Sequence, residues 1–528
     1  MSGYRFRWWL WLVVLLVGTP ARAQVEIPVG QAWQPIIDAH PAGTTFLIKA
    51  GVHRGQQVRP RTGDTFLGER RGGILVSIWS GARVLSGWQR DGSAWFVGGQ
   101  TQEGRHVNGA GICWSTHPRC DRPEDLFFDN VMRRHVDARA AVAPGTWFFD
   151  YAADRIYVGD DPNGHHVETS VLPYVFQSYP YGVTNVTIDS LIIEKFATPS
   201  GEGAVNLGHS AAGSVEWMIR NSRVRWNHGG GIQTDAMTYA IGNDVHHNCG
   251  SGMVGAGWDI VIEGNEISYN NIAAGAAIVS WSVNGSNATC GYNAYWSAGG
   301  SKWVYTTNLV VRGNRVHHND GNGLWTDINN RYTLYEGNVV FENAGTGIFH
   351  EISYDATIRK NTVKRNGLAR DFPWWTSGAG IQVASSPNVE IYENVVEDNA
   401  QAITGLNDHR GAGIYGPWSL TNLLVRDNVV RYTSPPAAGW GQQGVVETQG
   451  VEAFTVASNN RYEQNTYDGH SPSYVWNGFG LSANAWHGNG QDVENATGGG
   501  PPATSRSIPL ALATFVVSAL VAGRLWRS

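Results

Sequence analysis

Short bursts of alternating apolar and polar residues recur along this chain at a fixed offset from asparagine. Between Leu309 and Asn366, mostly apolar residues stand five and three places before an asparagine, with Thr333 as the exception, and an apolar residue follows two places after it, with a second asparagine five places on. The resulting pairs are Asn314/Asn319, Asn338/Asn343 and Asn361/Asn366. The first position of each pair extends the pattern to Ser222, Asn243, Asn265, Asn314, Asn338, Asn361, Asn394 and Asn428, in steps of 21, 22, 49, 24, 23, 33 and 34 residues. Trp217/Ile219/Val224, Ile260/Ile262/Ile267, Leu309/Val311/Val316, Ala356/Ile358/Val363, Val389/Ile391/Val396 and Leu423/Val425/Val430 fill the apolar places. A spacing of two is the period of a strand with one face inward, and tandem units of this length signal a solenoid. Asparagine between two strands tolerates left-handed backbone, and identical amides one rung apart can form a hydrogen-bonded ladder, so both asparagine columns read as scaffold. The last recognisable rung is at Asn459 or Asn460, and residues 466–496 read as a cap on the open end of the solenoid.

Each unit also carries a glycine-marked strand. Aligned, these are GGGIQTD, GSGMVGA, GAAIVSW, GNGLWTD, GTGIFHE, GAGIQVA and GAGIYGP, which predict a third sheet. With Ile232, Leu324, Ile348, Ile381 and Ile414 inward, alternation turns Gln233/Asp235, Trp325/Asp327, Phe349/Glu351, Gln382 and Tyr415 outward. Adjacent strands lie about 4.8 Å apart, so Asp327 and Glu351 should form stacked carboxylates flanked by stacked aromatics, with Asp235 three rungs away at roughly 14 Å, in reach of a substrate subsite. The long steps place loops at one corner, Leu368 to Thr376 with Trp374 and Trp375, Ala400 to Arg410 with His409 and Arg410, and Thr433 to Gln442. A further loop, Ser282 to Tyr305 with Tyr292, Tyr295, Trp296, Lys302 and Trp303, is expected at the opposite end of the same strand. His246/His247 and His317/His318 fall beside the asparagine corner as a solvated or ladder-forming face. Neighbouring residues on a strand point to opposite faces, which argues against chelation by one such pair.

Upstream, Val25 to Trp95 reads as short strands with Gly and Pro turns, including GTTFLIKAGVHRGQ (Gly43 to Gln56). This segment and the repeat resemble right-handed parallel β-helix proteins of the pectate-lyase-like group, and the resemblance covers roughly Gly43 to Asn465. It implies an all-β, right-handed parallel β-helix of about ten coils. Residues 96–174 break the rhythm, and alternation in Trp147, Phe149 and Tyr151 and in Ile156 and Val158 across AADR predicts a β-hairpin insertion packed on the first coils (residues 24–95), before the main solenoid of 175–465.

Composition narrows the partners. A net charge of -6 supplies no basic field for nucleic acid, and 23 tryptophans suit a core or sugar rings. Arg5 and Arg7, the apolar run from Trp8 to Val17 and Ala21-Arg22-Ala23 make residues 1–23 a secretory signal. Residues 497–507 read as a Gly/Pro/Ser linker. Ile508 to Gly523, before Arg524 and Arg527, form a segment of roughly 24 Å that reads as a membrane anchor, and 508–528 resembles a GlyGly-type sorting tail removed by a protease. The expected location is the cell surface or the extracellular space. Four cysteines in an exported chain allow three pairings, among which Cys113–Cys120 and Cys249–Cys290 are preferred, against an alternative of four buried thiols.

The chemistry centres on Asp327 and Glu351. Carboxylates about 5 Å apart match a retaining glycosidase, one acting as nucleophile and the other as acid/base, with no cofactor required. Gln233, Asp235, Trp325, Phe349, Gln382, Tyr415, Trp374, Trp375, His409, Arg410 and Lys302 are the expected substrate-binding residues. A lyase would instead use Lys302 or Arg410 as base and Ca²⁺ bridging a uronate to the two acids, and the arginine and acid motifs associated with pectate lyases are not recognisable. The alternative is a non-catalytic glycan-binding or envelope protein, since one solenoid serves many functions.

Overall fold

The computed structural model describes residues 24–107, 111–176, 182–208, 215–276, 290–296, 298–367, 377–437, 439–476 and 479–493. Three long sheets of 13, 12 and 11 strands wrap one core; the first coils contribute only to the first two sheets, and each coil from Thr187–Asp189 onward contributes one parallel strand to each of the three. The first sheet runs from Val25–Ile27 to Arg461–Glu463, the second from Gly51–Arg54 to Thr466–Gly469 and the third from Gly203–Asn206 to Phe479–Leu481. Only that last strand of the third sheet is antiparallel, pairing with Ser473–Trp476, and removing it from the 11 leaves ten complete coils. Trp217, Ile219, Val224, Val311, Val316, Ile358 and Val363 are completely buried, as the two-residue period requires. The predicted leader and tail, 1–23 and 508–528, lie outside the described residues. Among those described, no helix is long and apolar enough to cross a membrane.

The asparagine columns are the hydrogen-bonded spine of the solenoid. Asn338 Oδ1 accepts from the Asn314 backbone N–H at 3.0 Å and from Asn314 Nδ2 at 2.9 Å, while Asn338 Nδ2 donates to Val311 O at 2.9 Å and to Asn361 Oδ1 at 3.0 Å. This motif repeats from Asn243 through Asn265, Asn314, Asn338, Asn361, Asn394 and Asn428 to Asn465, and Asp492 closes the column by accepting from Asn465. The last rung is therefore Asn465, neither Asn459 nor Asn460. The left-handed turn belongs to the residue before each ladder asparagine, Gly313 (φ 63°), Gly337 (φ 64°), Lys360 (φ 57°) and Glu393 (φ 56°), not to the asparagine itself. A second column runs Asn248, Asn270, Asn319, Asn343, Asn366 and Asn399. It also explains the glycine-marked strands, because a Cβ at Gly323 would stand 3.0 Å from Asn343 Nδ2 and 2.8 Å from Val340 Cγ1.

Thr65–Gly68 pairs directly with Thr187–Asp189 and Ser77–Ser80 with Ile192–Glu194, so the chain from Ala82 to Ser170 is looped out of the solenoid. It builds an eight-stranded sheet whose strands include Ala82–Val84, Gln89–Asp91 and Ala94–Val97, which begin before residue 96, and whose core holds Trp147, Phe149, Ile156 and Val158. Disulfides join Cys113 to Cys120 and Cys249 to Cys290. Strands continue through Ser473–Trp476, past the expected start of the cap at 466. The short helix Ala483–Gly488 then seats the buried Trp486 over the end of the core.

Two glycine-marked segments are not rungs. The strand between Ser251–Trp258 and Leu324–Asp327 is Gly299–Thr307, whereas Gly275 and Ala276 of GAAIVSW lie in a turn and its remainder falls outside the described residues. The strand after Ala379–Ala384 is Gln401–Asn407, which opens on Gln-Ala instead of Gly-x-Gly. GAGIYGP is a small surface hairpin that leaves Ile414 67% exposed. This reassigns the loops. The segments before Gly299–Thr307, Ala379–Ala384 and Gln442–Glu447 leave from the second-to-third sheet corner, while the stretch carrying His409 and Arg410 leaves from the third-to-first.

The ladder makes a quantitative prediction. Asn338→Ala strands the buried Asn314 N–H, the Asn314 amide and Val311 O, at about 1–3 kcal/mol for each unsatisfied group. Urea unfolding should show a loss of about 2–4 kcal/mol, against less than about 0.5 kcal/mol for Asn163→Ala in an exposed surface turn.

Candidate active site: a carboxylate pair on adjacent rungs

Leu324–Asp327 and Ile348–Glu351 pair in register, Leu324 with Ile348, Trp325 with Phe349 and Asp327 with Glu351. Leu324 and Ile348 are buried in the core, so the aromatics and acids share the outer face. The Trp325 and Phe349 rings stack with centroids 5.6 Å apart at 15°. One rung below, Lys302 reaches up from Gly299–Thr307, its Nζ 2.8 Å from Asp327 Oδ2 and 3.8 Å from the Trp325 ring centroid. From the opposite corner Arg410 Nη1 donates to Glu351 Oε1 at 3.1 Å, and Trp325 Nε1 donates to Glu351 Oε2 at 3.2 Å. Each acid thus has its own cation, and the two cations arrive from opposite walls.

The two carboxyls are electrostatically unequal. Burial, reinforced by the neighbouring Asp327 charge, pushes the Glu351 carboxyl up to about 7, with Arg410 and Lys302 opposing the shift. Asp327 Oδ2 is held by Lys302, while its buried Oδ1 has no hydrogen-bond partner among the described residues. One acid is thus paired to a lysine while the other is poised to carry a proton near neutral pH.

These groups open into a cleft of about 480 Å³. Of the residues expected from sequence, Lys302, Trp325, Asp327, Phe349, Glu351, Gln382 and Arg410 line it. Gln382 Oε1 accepts from Thr346 Oγ1 at 3.2 Å, which fixes its amide on the floor. Gln233 belongs to the same outward column three rungs away, but it is buried and donates to Gly208 O. Asp235 is fully buried in a turn with Ala236 and Thr238, burial raising its carboxyl to about 6, and it does not line the cleft. Tyr415 packs against Tyr354 on the surface hairpin, and His409 turns away toward Glu447. Trp374 and Trp375 lie outside the described residues. Trp303, expected on a wall, points into the core.

Tyr295, Trp296, Asn322, Thr346 and Asp408 also line the cleft. Asp408 could have been picked out beside His409 and Arg410 only if Gln401–Asn407 had been recognised as a strand. The histidine pairs behave differently from the strand rule. His247 (φ 52°) and His318 (φ 55°) take left-handed turns, which brings Nδ1 of each to 2.8 Å from Nδ1 of the preceding histidine.

Fold and cleft together define the class. The chain is a right-handed parallel β-helix repeat protein carrying an acid-paired cleft on its third sheet. Residues 204–396 match the right-handed β-helix region family. Among solved structures, XylC in complex with xylose is similar over 85% of this chain and 87% of its own, at 13% identity and a TM-score of 0.60. The A-module of the Azotobacter vinelandii mannuronan C-5 epimerase AlgE4 aligns over 84% and 94% at 14% identity and a TM-score of 0.49. At these identities the likeness concerns the fold. No curated protein matches the sequence.

The charge arrangement predicts a titration pattern. Carbon-13 NMR of the Glu351 carboxyl should give a midpoint of about 7, lowered in Asp327→Asn, where the like charge is lost, and raised in Arg410→Met, where the favourable cation is lost.

Proposed function

We propose that this protein is a polysaccharide-active glycoside hydrolase that retains anomeric configuration, with Asp327 as nucleophile and Glu351 as acid/base. The observation carrying this reading is the in-register carboxylate pair at the floor of a cleft, with the Glu351 carboxyl raised to about 7. Adjacent rungs set the two carboxyls about 5 Å apart, the separation used by double-displacement glycosidases and too close for a water to enter between sugar and base.

In the first step, protonated Glu351 gives its proton to the glycosidic oxygen as the C–O bond to the leaving sugar breaks, and the Asp327 carboxylate forms a bond to the anomeric carbon. In the second, Glu351, now a carboxylate, takes a proton from water. The water oxygen attacks the anomeric carbon, and Asp327 leaves with its electron pair. Charge loss on Asp327 during the first step weakens the Coulomb term that raises Glu351, so the same residue shifts toward the base it must become. Lys302 holds Asp327 in place, Arg410 orients Glu351, and Phe349 with Trp296 offers apolar faces to sugar rings.

The lyase chemistry fits these residues less well. Lys302 and Arg410, the bases it would need, are engaged by Asp327 and Glu351. The same two ion pairs would have to open for a bridging Ca²⁺ to reach both acids. A non-catalytic glycan-binding role remains the second reading, favoured by the exposed Trp296 at the rim. Export and a surface location belong to the proposal too, and two disulfides suit an oxidising compartment.

A panel of 4-nitrophenyl glycosides, neutral and uronic, tests the reading. Hydrolysis of at least one, with proton NMR showing the anomer of the substrate as first product, is the expected result, and the kcat/KM profile should fall as pH rises through about 7 because Glu351 must be protonated. Asp327→Asn should cost about 10³-fold or more, and Glu351→Gln about 10²–10⁴-fold with loss of the descending limb. Glycan binding without turnover, unchanged in both variants, would favour the binding reading.

A further inference from the structure

Behind the cleft wall, His409 Nε2 lies 2.8 Å from Glu447 Oε1 and 3.8 Å from Glu452 Oε2, and one ligand atom of each residue falls within 4.8 Å of the others. The Glu447 side chain is fully enclosed, yet its hydrogen bonds come from neutral donors, Asn407 Nδ2 at 2.8 Å and the Ala453 N–H at 2.9 Å. No lysine or arginine pairs with it among the described residues. A buried carboxylate whose nearest cationic candidate is an imidazole is costly, and the Glu452 carboxyl in hydrogen-bond contact with it crowds a second acid onto the site.

We propose that His409, Glu447 and Glu452 form a binding site for a divalent transition cation of the zinc type. An imidazole nitrogen with two carboxylate oxygens matches zinc's donor preference, whereas Ca²⁺ takes oxygen donors throughout. Ligands about 2.0–2.1 Å from a tetrahedral ion stand roughly 3–3.5 Å from one another, and 2.8 and 3.8 Å bracket that spacing. His409 and Glu452 reach solvent, leaving room for water in the remaining position.

The site joins two segments. His409 follows the third-sheet strand Gln401–Asn407, while Glu447 ends the next rung and Glu452 opens the turn beyond it. His409 has left-handed backbone (φ 45°), so its side chain points to Glu447 while the next residue, Arg410, reaches Glu351. A bound cation would therefore pin the arm that delivers Arg410 to the cleft. This positioning role rests on the reading of Glu351 as a working group, whereas the metal site does not.

The test is zinc binding to the chelator-treated protein, measured without substrate by calorimetry, metal content and thermal unfolding. One equivalent of Zn²⁺ should bind and raise Tm by several degrees, with no comparable rise from Ca²⁺ at the same concentration. His409→Ala and Glu452→Gln should each weaken binding by about 100-fold or more. Glu452 is exposed, so its variant folds even if the histidine variant does not. Absence of saturable zinc binding below about 100 μM, or binding that survives both substitutions, would overturn the proposal. If zinc binds as expected but no glycoside is cleaved, the functional reading fails and the metal site stands.

Discussion

The amide ladders fix everything else in this molecule. A parallel sheet can slip by one residue at the cost of exchanging its two faces, and in a solenoid that slip would turn a core residue outward on every following coil. Each ladder asparagine accepts two donors from the coil before it and donates into that coil's carbonyls, so both the rise and the register are set by groups that have no alternative partner in the dry interior. The alignment of Asp327 over Glu351 follows from Asn314, Asn338 and Asn361 being aligned.

On that frame the cleft keeps two like charges one rung apart. The arrangement persists because a lysine from the preceding rung and an arginine from the opposite corner each neutralise one acid, and because burial lets the second acid hold its proton near neutral pH. The stacked aromatic pair is part of this support as well as of the cleft surface. Trp325 is almost wholly buried, with Lys302 over its face and its indole N–H on Glu351.

Much of this was legible in the residues. Periods of two within strands and asparagines at fixed offsets imply the solenoid, and the strand alternation in GNGLWTD and GTGIFHE places Asp327 and Glu351 on one face. What escaped has a physical cause. Gln401–Asn407 is a rung without the glycine that its neighbours need, so GAGIYGP took its place and carried Tyr415 with it. The Gly299–Thr307 strand begins Gly-Gly but lies after a long loop, which hid the inward direction of Trp303. Asp235 satisfies the alternation, yet a turn closes over it, and burial of that kind depends on contacts distant in sequence. The raised proton affinity of Glu351 is also tempered by Arg410, which arrives from 59 residues away.

The central claim is that Asp327 attacks carbon while Glu351 supplies the proton. Incubation with a panel of 2-deoxy-2-fluoro glycosides bearing dinitrophenolate leaving groups, followed by intact-mass measurement and peptide mapping, tests it most directly. The account predicts one sugar residue added per chain on the peptide containing Asp327, and no adduct in Asp327→Asn. An adduct on Glu351 or elsewhere, or cleavage with net inversion and no adduct, would contradict it.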